Sequence, residues 1–201
     1  MNHASPREWM KAIAYRCPES LAALTKAARI YAQLEGYQAA ALFELVHAYA
    51  GTEAHVLEIG TLAGYSAAIM AQAAPDARIV TLNSAAREIP TAIENLLPYP
   101  HVRVQLGISW DILGSYAGPE LDVVFVDGDH RHANRDVPWF NHLAAGGLIL
   151  FHDYTRGGSM PVVTAVHEMA AALLRDPDVM IADTNGIGMA GFYRRKGEHI
   201  G

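Results

Sequence analysis

The sequence predicts an α/β protein built on a mostly parallel sheet of seven strands, with one antiparallel strand at or near the edge. Three observations carry this prediction. Short apolar runs alternate with segments of helical periodicity, in the order βαβαβαβαβαββ. The first run ends in a glycine turn that leads directly into a helix. The last two strands follow each other without a helix, and the short polar stretch between them is typical of a hairpin.

Helical segments precede the first strand and form an N-terminal extension that we delimit as residues 1–53. Ser5 and Glu8 have the spacing of a capping box, and Pro6 occupies the first helical position between them. The predicted helices span 5–16, 19–35 (closed by Gly36) and 37–50. Three roles are open for the extension: it covers the functional site, it forms a dimer contact, or it completes the core.

Residues 54–201 form the second predicted unit, in which apolar runs bounded by turn residues indicate strands. The predicted strands span 56–59, 78–83, 101–106, 121–126, 147–151, 179–183 and 188–194. The predicted helices span 66–74, 88–97, 131–143 (interrupted near Pro138) and 160–174. In such a sheet a ligand binds at the carboxyl ends of the strands, where the strand order reverses.

Composition and charge narrow the functional classes. The net charge of −6 disfavours general nucleic-acid binding, which depends on neutralising phosphates with Lys and Arg. Cys17 is the only cysteine, so an internal disulfide is impossible. The N-terminus lacks the layout of a signal peptide, and no segment is long and apolar enough to span a membrane. We therefore expect a cytoplasmic protein with a small-molecule substrate, and a homodimer is compatible with the sequence.

The spacing of the glycines in the turn after the first strand indicates which class of ligand the turn binds. Gly60 and Gly64 form G-x-x-x-G, and Glu58 lies two places before them. A dinucleotide fingerprint would read G-x-G-x-x-G, so NAD is disfavoured. The arrangement resembles the first motif of class I S-adenosylmethionine (SAM)-dependent methyltransferases, which have a Rossmann-like fold. The resemblance implies that Glu58, Gly60 and Gly64 bind the cofactor; tight strand–helix packing without a ligand is the alternative.

Two further strand ends belong to the cofactor site that this resemblance implies. Asn83 ends the second strand, where the family usually has a carboxylate that accepts from both ribose hydroxyls. An amide offers one acceptor and two donors instead, and this departure favours a second reading, a protein that kept the fold without turnover. Ser109 follows the third strand, where the family contacts adenine, and a helix cap is its alternative role.

Ionisable residues follow the fourth and fifth predicted strands. The fourth strand runs into Asp127, Gly128, Asp129 and His130, and the fifth runs into His152-Asp153. The carboxyl ends of neighbouring parallel strands meet at one edge of a sheet, so Asp127, His152 and Asp153 are expected to form a cluster of carboxylate and imidazole groups. Such a set suits Mg²⁺ or Mn²⁺, with the histidine shifting the preference toward softer divalent metals. Asp129 is interpreted as a helix cap.

These two strand ends together resemble a bacterial branch of methyltransferases that includes macrocin-type sugar O-methyltransferases and cephalosporin hydroxylase-like proteins, related more distantly to catechol O-methyltransferase. The resemblance implies that Asp127, His152 and Asp153 hold Mg²⁺ or another divalent cation, with Asp127 also bordering the SAM site. It implies that His130 is the general base; a histidine facing solvent is the alternative. The implied activity is O-methylation of a catechol-like molecule or a sugar diol, and chemistry other than methylation on the same fold is a further alternative.

Overall fold

The computed structural model describes residues 18–32, 34, 36–155, 161–182 and 187–201. Its strands are β1 (His55–Ile59), β2 (Arg78–Asn83), β3 (Val102–Leu106), β4 (Leu121–Val126), β5 (Leu143–Thr155), β6 (Val179–Ala182) and β7 (Ile187–Tyr193). They form one sheet in the order β3-β2-β1-β4-β5-β7-β6. β7 runs antiparallel to both of its neighbours, and the other paired strands are parallel. The predicted fold class, with its antiparallel strand near the edge, is confirmed.

Helices cover both faces of the sheet. They are α1 (Pro18–Ala27), α2 (Gly36–Tyr49), α3 (Tyr65–Ala73), α4 (Ile89–Leu96), α5 (Ser109–Leu113) and α6 (Pro161–Leu173), with 3-10 segments at Ala86–Glu88 and His130–His142. Residues of α1 to α4 join one hydrophobic cluster with Val123 and Phe125 of β4. Residues of α6 and of the segment His130–His142 join a second cluster with Val124 on the opposite face. Because β4 is buried on both faces over 123–126, these four residues form a continuous apolar run.

The second predicted helix is wrong beyond Ala27, where α1 ends. The Ile30 amide donates to the Ala27 carbonyl at 2.9 Å, an i to i+3 bond that tightens the end of the helix. Ile30 and Leu34 are nevertheless buried in the core without belonging to a helix. Gly36 begins α2 instead of closing the preceding helix. Ile30 and Leu34 are spaced like residues on one face of a helix. Both are apolar because they are buried in the core, although neither position is helical.

Two other elements differ from their predicted form. β5 continues on both sides of the predicted run 147–151, because Leu143 pairs with Leu121 of β4 and the outer half of β5 pairs with β7 as far as Thr155. The predicted helix over 131–143 is a 3-10 segment that contains Pro138. Proline has no amide hydrogen to donate and its ring crowds the preceding turn, which is incompatible with a regular α-helix at this point.

Several predicted segments lie outside the described residues: the first helix at 5–16, the loop residues 157–159 between the fifth predicted strand and the helix predicted at 160–174, and the turn residues 184–186 between the last two predicted strands. In the described part of the extension, α1 and α2 pack against α3. The division of the chain at residue 53, and the role of the extension as a cap or a dimer contact, stay predictions. Among the helices of the described ranges, none combines the length and the apolar character needed to cross a membrane.

Candidate functional site

A cavity of about 220 Å³ opens at the carboxyl ends of the central strands. β1 lies between β2 and β4, so the chain's strand order reverses on either side of it. Most of the wall comes from the segments that follow β1, β2, β3 and β4, and Tyr31 and Leu34 of the N-terminal extension also line the cavity. Of the residues predicted to bind a cofactor, four line the cavity: Gly60, Asn83, Ser109 and Asp127.

The glycines of the first turn are required by close packing. Gly60 has φ +106°, and a Cβ there would collide with the carbonyl of Asp127. Gly64 has φ +90°, and its Cβ would lie 2.9 Å from the Leu96 side chain. Positive φ and the missing side chain both favour glycine at these positions. Gly64 does not line the cavity, so its packing against α4 accounts for the residue in this structure, and its cofactor contact stays a prediction.

Glu58 lies beneath the turn and is fully buried. Its Oε2 accepts a hydrogen bond of 2.5 Å from the Thr81 hydroxyl, which lies 2.5 Å from the hydroxyl of Thr61 in the turn. Burial raises the pKa of Glu58 to about 8, although hydrogen bonds from Ser66 and Thr81 oppose the shift. The carboxyl does not line the cavity. In this conformation Glu58 supports the turn from below, and direct contact with a cofactor stays a prediction.

Asn83 is where the sequence predicts a ribose contact, at the end of β2 on the cavity wall. Its amide nitrogen donates to Glu88 Oε2 at 3.0 Å and to the Ala85 carbonyl at 3.3 Å. Glu88 also lines the cavity and was missed by the sequence analysis. Glu88 is the last residue of a short 3-10 turn, and no periodicity or motif marks it as facing the strand end.

Ser109 does not act as the predicted helix cap. It is the first residue of α5, Ile108 holds the cap position, and no side-chain cap bond is present. The Ser109 hydroxyl instead donates to Asp136 Oδ1 at 2.5 Å. Asp136 is 1% exposed yet lines the cavity, and burial raises its pKa to about 6. Asp136 was also missed, because it reaches the cavity from the segment His130–His142.

Asp129 has the capping role that was assigned to it. Its Oδ1 accepts from the Arg131 amide at 3.1 Å at the start of the 3-10 segment. Hydrogen bonds from the Arg131 side chain hold the pKa of Asp129 below its usual range. Asp129 is therefore engaged with its own segment, although it borders the cavity.

The ends of β4 and β5 bring Asp127, His130, His152 and Asp153 together beside the cavity. His152 Nδ1 lies 2.8 Å from Asp127 Oδ1, and His130 Nε2 lies 3.0 Å from Asp153 Oδ2. His130 Nε2 is also 3.9 Å from Asp127 Oδ1. The predicted convergence of these four side chains is observed. Their chemical roles stay predictions.

Local backbone strain positions Asp153. Its φ is +56°, an uncommon value for a residue other than glycine. The pairing of β5 with β7 shifts register between His152 and Tyr154, so Asp153 is the extra residue of a β-bulge. Such bulges re-aim a side chain at the end of a strand. The bulge places the carboxylate of Asp153 next to the imidazole of His130.

The two histidines of the cluster have different environments. His152 is 3% exposed, and its Nε2 lies 3.2 Å from Gln38 Oε1 of α2, a contact that the sequence did not reveal. Both ring nitrogens of His152 therefore have polar neighbours. His130 is half-buried, and its hydrogen bond to Asp153 raises the pKa of His130 although partial desolvation opposes the shift. The same bond lowers the pKa of Asp153.

The donor atoms of the cluster are compatible with a divalent cation. One ligand atom from each of Asp127, His130 and His152 lies within 4.8 Å of the others. Asp153 adds a second carboxylate at the edge. A mixed nitrogen and oxygen set of this kind suits several divalent metals. The set Asp127, His130 and His152 contains His130 where the predicted ligand set contains Asp153.

Comparisons with known proteins find similarity to methyltransferases. A protein-family model described as a methyltransferase domain matches residues 57–154. The catechol O-methyltransferase of Mycobacterium tuberculosis is 36% identical over 110 residues, which cover 52% of this chain and 50% of that protein. The chain thus spans about half the length of this curated relative.

Solved structures share the fold over nearly the whole chain. The O-methyltransferase from Bacillus cereus, in complex with S-adenosylhomocysteine (SAH), has a TM-score of 0.67 at 18% identity and covers 92% of this chain and 96% of its own. The O-methyltransferase of tomaymycin synthesis from Streptomyces achromogenes, in complex with SAM, has a TM-score of 0.65 at 18% identity and covers 96% and 100%. Similarity at this level of identity establishes the fold, which is the Rossmann-like fold predicted from the sequence.

Proposed function

We propose that this protein transfers the methyl group of SAM to a hydroxyl of a small molecule, and the match of residues 57–154 to a methyltransferase-domain family model supports the proposal. One observation carries the proposal: Asp127 belongs both to the cavity wall and to the histidine–carboxylate cluster. A cofactor in the cavity and a hydroxyl at the cluster would therefore lie next to each other. The substrate class we propose is a catechol-like molecule or a sugar diol.

The residues that would hold SAM are those of the cavity wall. Gly60 allows close approach of the backbone, and Asn83 and Glu88 offer polar groups for a ribose. Ser109 and Asp136 form a second polar pair on the cavity wall. When bound, SAM supplies a methyl group on a positively charged sulfur. The protein contributes alignment of the acceptor oxygen with that methyl group, and electrostatic stabilisation.

His130 is the proposed general base. With its Nε2–H donated to Asp153, the neutral imidazole keeps a lone pair on Nδ1 that can accept the hydroxyl proton of the substrate. The resulting imidazolium is stabilised by the carboxylates of Asp153 and Asp127. The raised pKa of His130 makes it a stronger base than a free histidine. The oxygen then attacks the methyl carbon, and the carbon–sulfur bond breaks to release SAH.

A divalent cation is the second proposed component of the site. Asp127, His152 and Asp153 would hold it, leaving His130 as the base, as the family resemblance implies. The cation would supply Lewis-acid chemistry, which lowers the pKa of a bound hydroxyl. In the alternative arrangement Asp127, His130 and His152 are the ligands, and His130 would then be unable to act as the base.

The test measures methyl transfer from SAM to a panel of catechols and sugar diols, before and after exhaustive chelation. For His130→Ala we expect a loss of turnover of about 10²- to 10⁴-fold, the range for removal of a general base. SAH affinity, measured by calorimetry, is expected to stay at the wild-type value, because His130 does not line the cavity. His132→Ala is the matched control, since His132 pairs with Asp129 outside the cluster.

Full methyl transfer by His130→Ala would contradict the proposed base. Chelation is expected to abolish activity and added Mg²⁺ or Mn²⁺ to restore it; unchanged activity after chelation would contradict the metal and leave the His130–Asp153 pair as a metal-independent base.

A second candidate is a SAM-fold binding protein without methyl transfer. Asn83 favours it, because a carboxylate is missing from the end of β2. SAH binding with no product across the panel would support this candidate.

A homodimer formed through the N-terminal helices is also a proposal, and light scattering on the purified chain tests it.

A further inference from the structure

We infer that Glu88 supplies the carboxylate that accepts hydrogen bonds from the ribose diol of the cofactor, in the place that Asn83 leaves without one. The inference rests on the proposed use of SAM. It assigns a binding role to a residue that lies five positions beyond the end of β2 and has no sequence motif around it.

The side-chain amide of Asn83 already donates both of its hydrogens within the protein. Its Nδ2 donates to Glu88 Oε2 at 3.0 Å and to the Ala85 carbonyl at 3.3 Å. These two bonds use both amide hydrogens. The Asn83 side chain therefore offers a ligand its carbonyl oxygen, and the bond to Glu88 holds the carboxylate beside that oxygen on the cavity wall.

The Glu88 carboxylate can accept further hydrogen bonds from a ligand. Glu88 is the residue that precedes α4, yet its side chain makes no capping bond to the helix. Its Oε1 lies 3.5 Å from Arg87 Nε, and the Arg87 side chain is 87% exposed, so solvent screens that ion pair. A carboxylate accepts about four hydrogen bonds, and the bond from Asn83 uses one of them.

The chemistry of a vicinal diol matches this arrangement. Both ribose hydroxyls are donors, and a carboxylate accepts from both with charge-assisted bonds, which are stronger than bonds to a neutral amide. Glu88 is only half-buried, so the charge reaches the cavity without the cost of full desolvation. The ligand that this corner recognises is therefore a nucleoside with both hydroxyls free.

The experiment measures binding of SAH, and of its 2′,3′-dideoxy analogue, to the full chain by titration calorimetry. For Glu88→Gln we expect SAH affinity to fall about 10- to 100-fold, the range for losing charge-assisted hydrogen bonds. Affinity for the dideoxy analogue is expected to change less than about twofold, because that ligand has no hydroxyl to lose. Glu94→Gln, an exposed substitution on α4, is the matched control and should bind both ligands as the wild type does.

A double variant provides an independent test. Asn83→Asp combined with Glu88→Gln exchanges the amide and the carboxylate, and it is expected to recover SAH affinity to within a few-fold of the wild type. Wild-type SAH affinity in Glu88→Gln would overturn the inference, as would an equal loss for SAH and the dideoxy analogue. Failure of the wild-type protein to bind SAH would instead overturn the proposed function, so the two failures are distinguishable.

Discussion

Glu58→Gln replaces a fully buried carboxyl with a neutral amide of the same shape, and it tests the electrostatics beneath the glycine turn. The native pKa of Glu58 is raised from 4.5 to about 8, chiefly by burial. The folded protein therefore binds one more proton than the unfolded chain between these two values. The stabilisation of the folded protein by the proton on Glu58 is fully present below pH 4.5, and it is lost as the pH rises toward the native pKa of about 8.

The size of the effect follows from the two pKa values. Integrating the linkage relation from pH 5 to pH 8.5 gives a loss of about 4 kcal/mol from Glu58 in the wild type. Glutamine does not titrate, so the Glu58→Gln variant lacks this loss. We expect the difference in unfolding free energy between variant and wild type to shift by about this amount, in favour of the variant at the higher pH.

Urea denaturation at the two pH values measures this double difference. Glu94→Gln, at an exposed position on α4, is the control and should keep the wild-type dependence. A wild-type-to-variant difference that is the same at pH 5 and pH 8.5 would show that Glu58 is ionised in the native state. The reasoning from burial would then be refuted.

Two further variants test the packing and the polar pair of the cavity. Gly60→Ala should lower the free energy of unfolding by more than about 3 kcal/mol, because the new Cβ meets the Asp127 carbonyl. The control Gly146→Ala has the same sign of φ but open space around it, so its free energy of unfolding should fall by about 1–2 kcal/mol. Calorimetry measures both losses. Equal losses would remove the clash as the reason for glycine. Ser109→Ala removes a hydrogen bond that lowers the pKa of Asp136, so that pKa should rise above its value of about 6 in a carbon-13 NMR titration of the carboxyl. An unchanged titration would mean that the bond does not stabilise the carboxylate.

The sequence predicted the central strands closely. β2 and β4 have the predicted bounds, 78–83 and 121–126. A strand buried on both faces is mostly apolar, so the end of β4 is visible at Asp127, the first polar residue after the apolar stretch 123–126. The same logic located Asp127 and the pair His152-Asp153, because the carboxyl ends of parallel neighbours meet at one edge.

Features set by contacts between distant segments were not predictable in this way. Residues 28–32 and 34 are not helical although Ile30 and Leu34 have helical spacing, since burial there depends on how the core closes around these two side chains. The length of β5 depends on its antiparallel partner, and the bulge at Asp153 arises in that pairing.

What the sequence determined by itself is therefore the sheet, its glycine turn and the acidic strand ends, because each is encoded by neighbouring residues. Only the tertiary structure decided which groups meet there. Gln38 reaches His152 from a helix in the N-terminal part, Asp136 reaches Ser109 from a 3-10 segment, and Glu88 turns back toward the end of β2. Local patterns reflect burial and backbone conformation, whereas these contacts form only when the whole chain closes around the cavity.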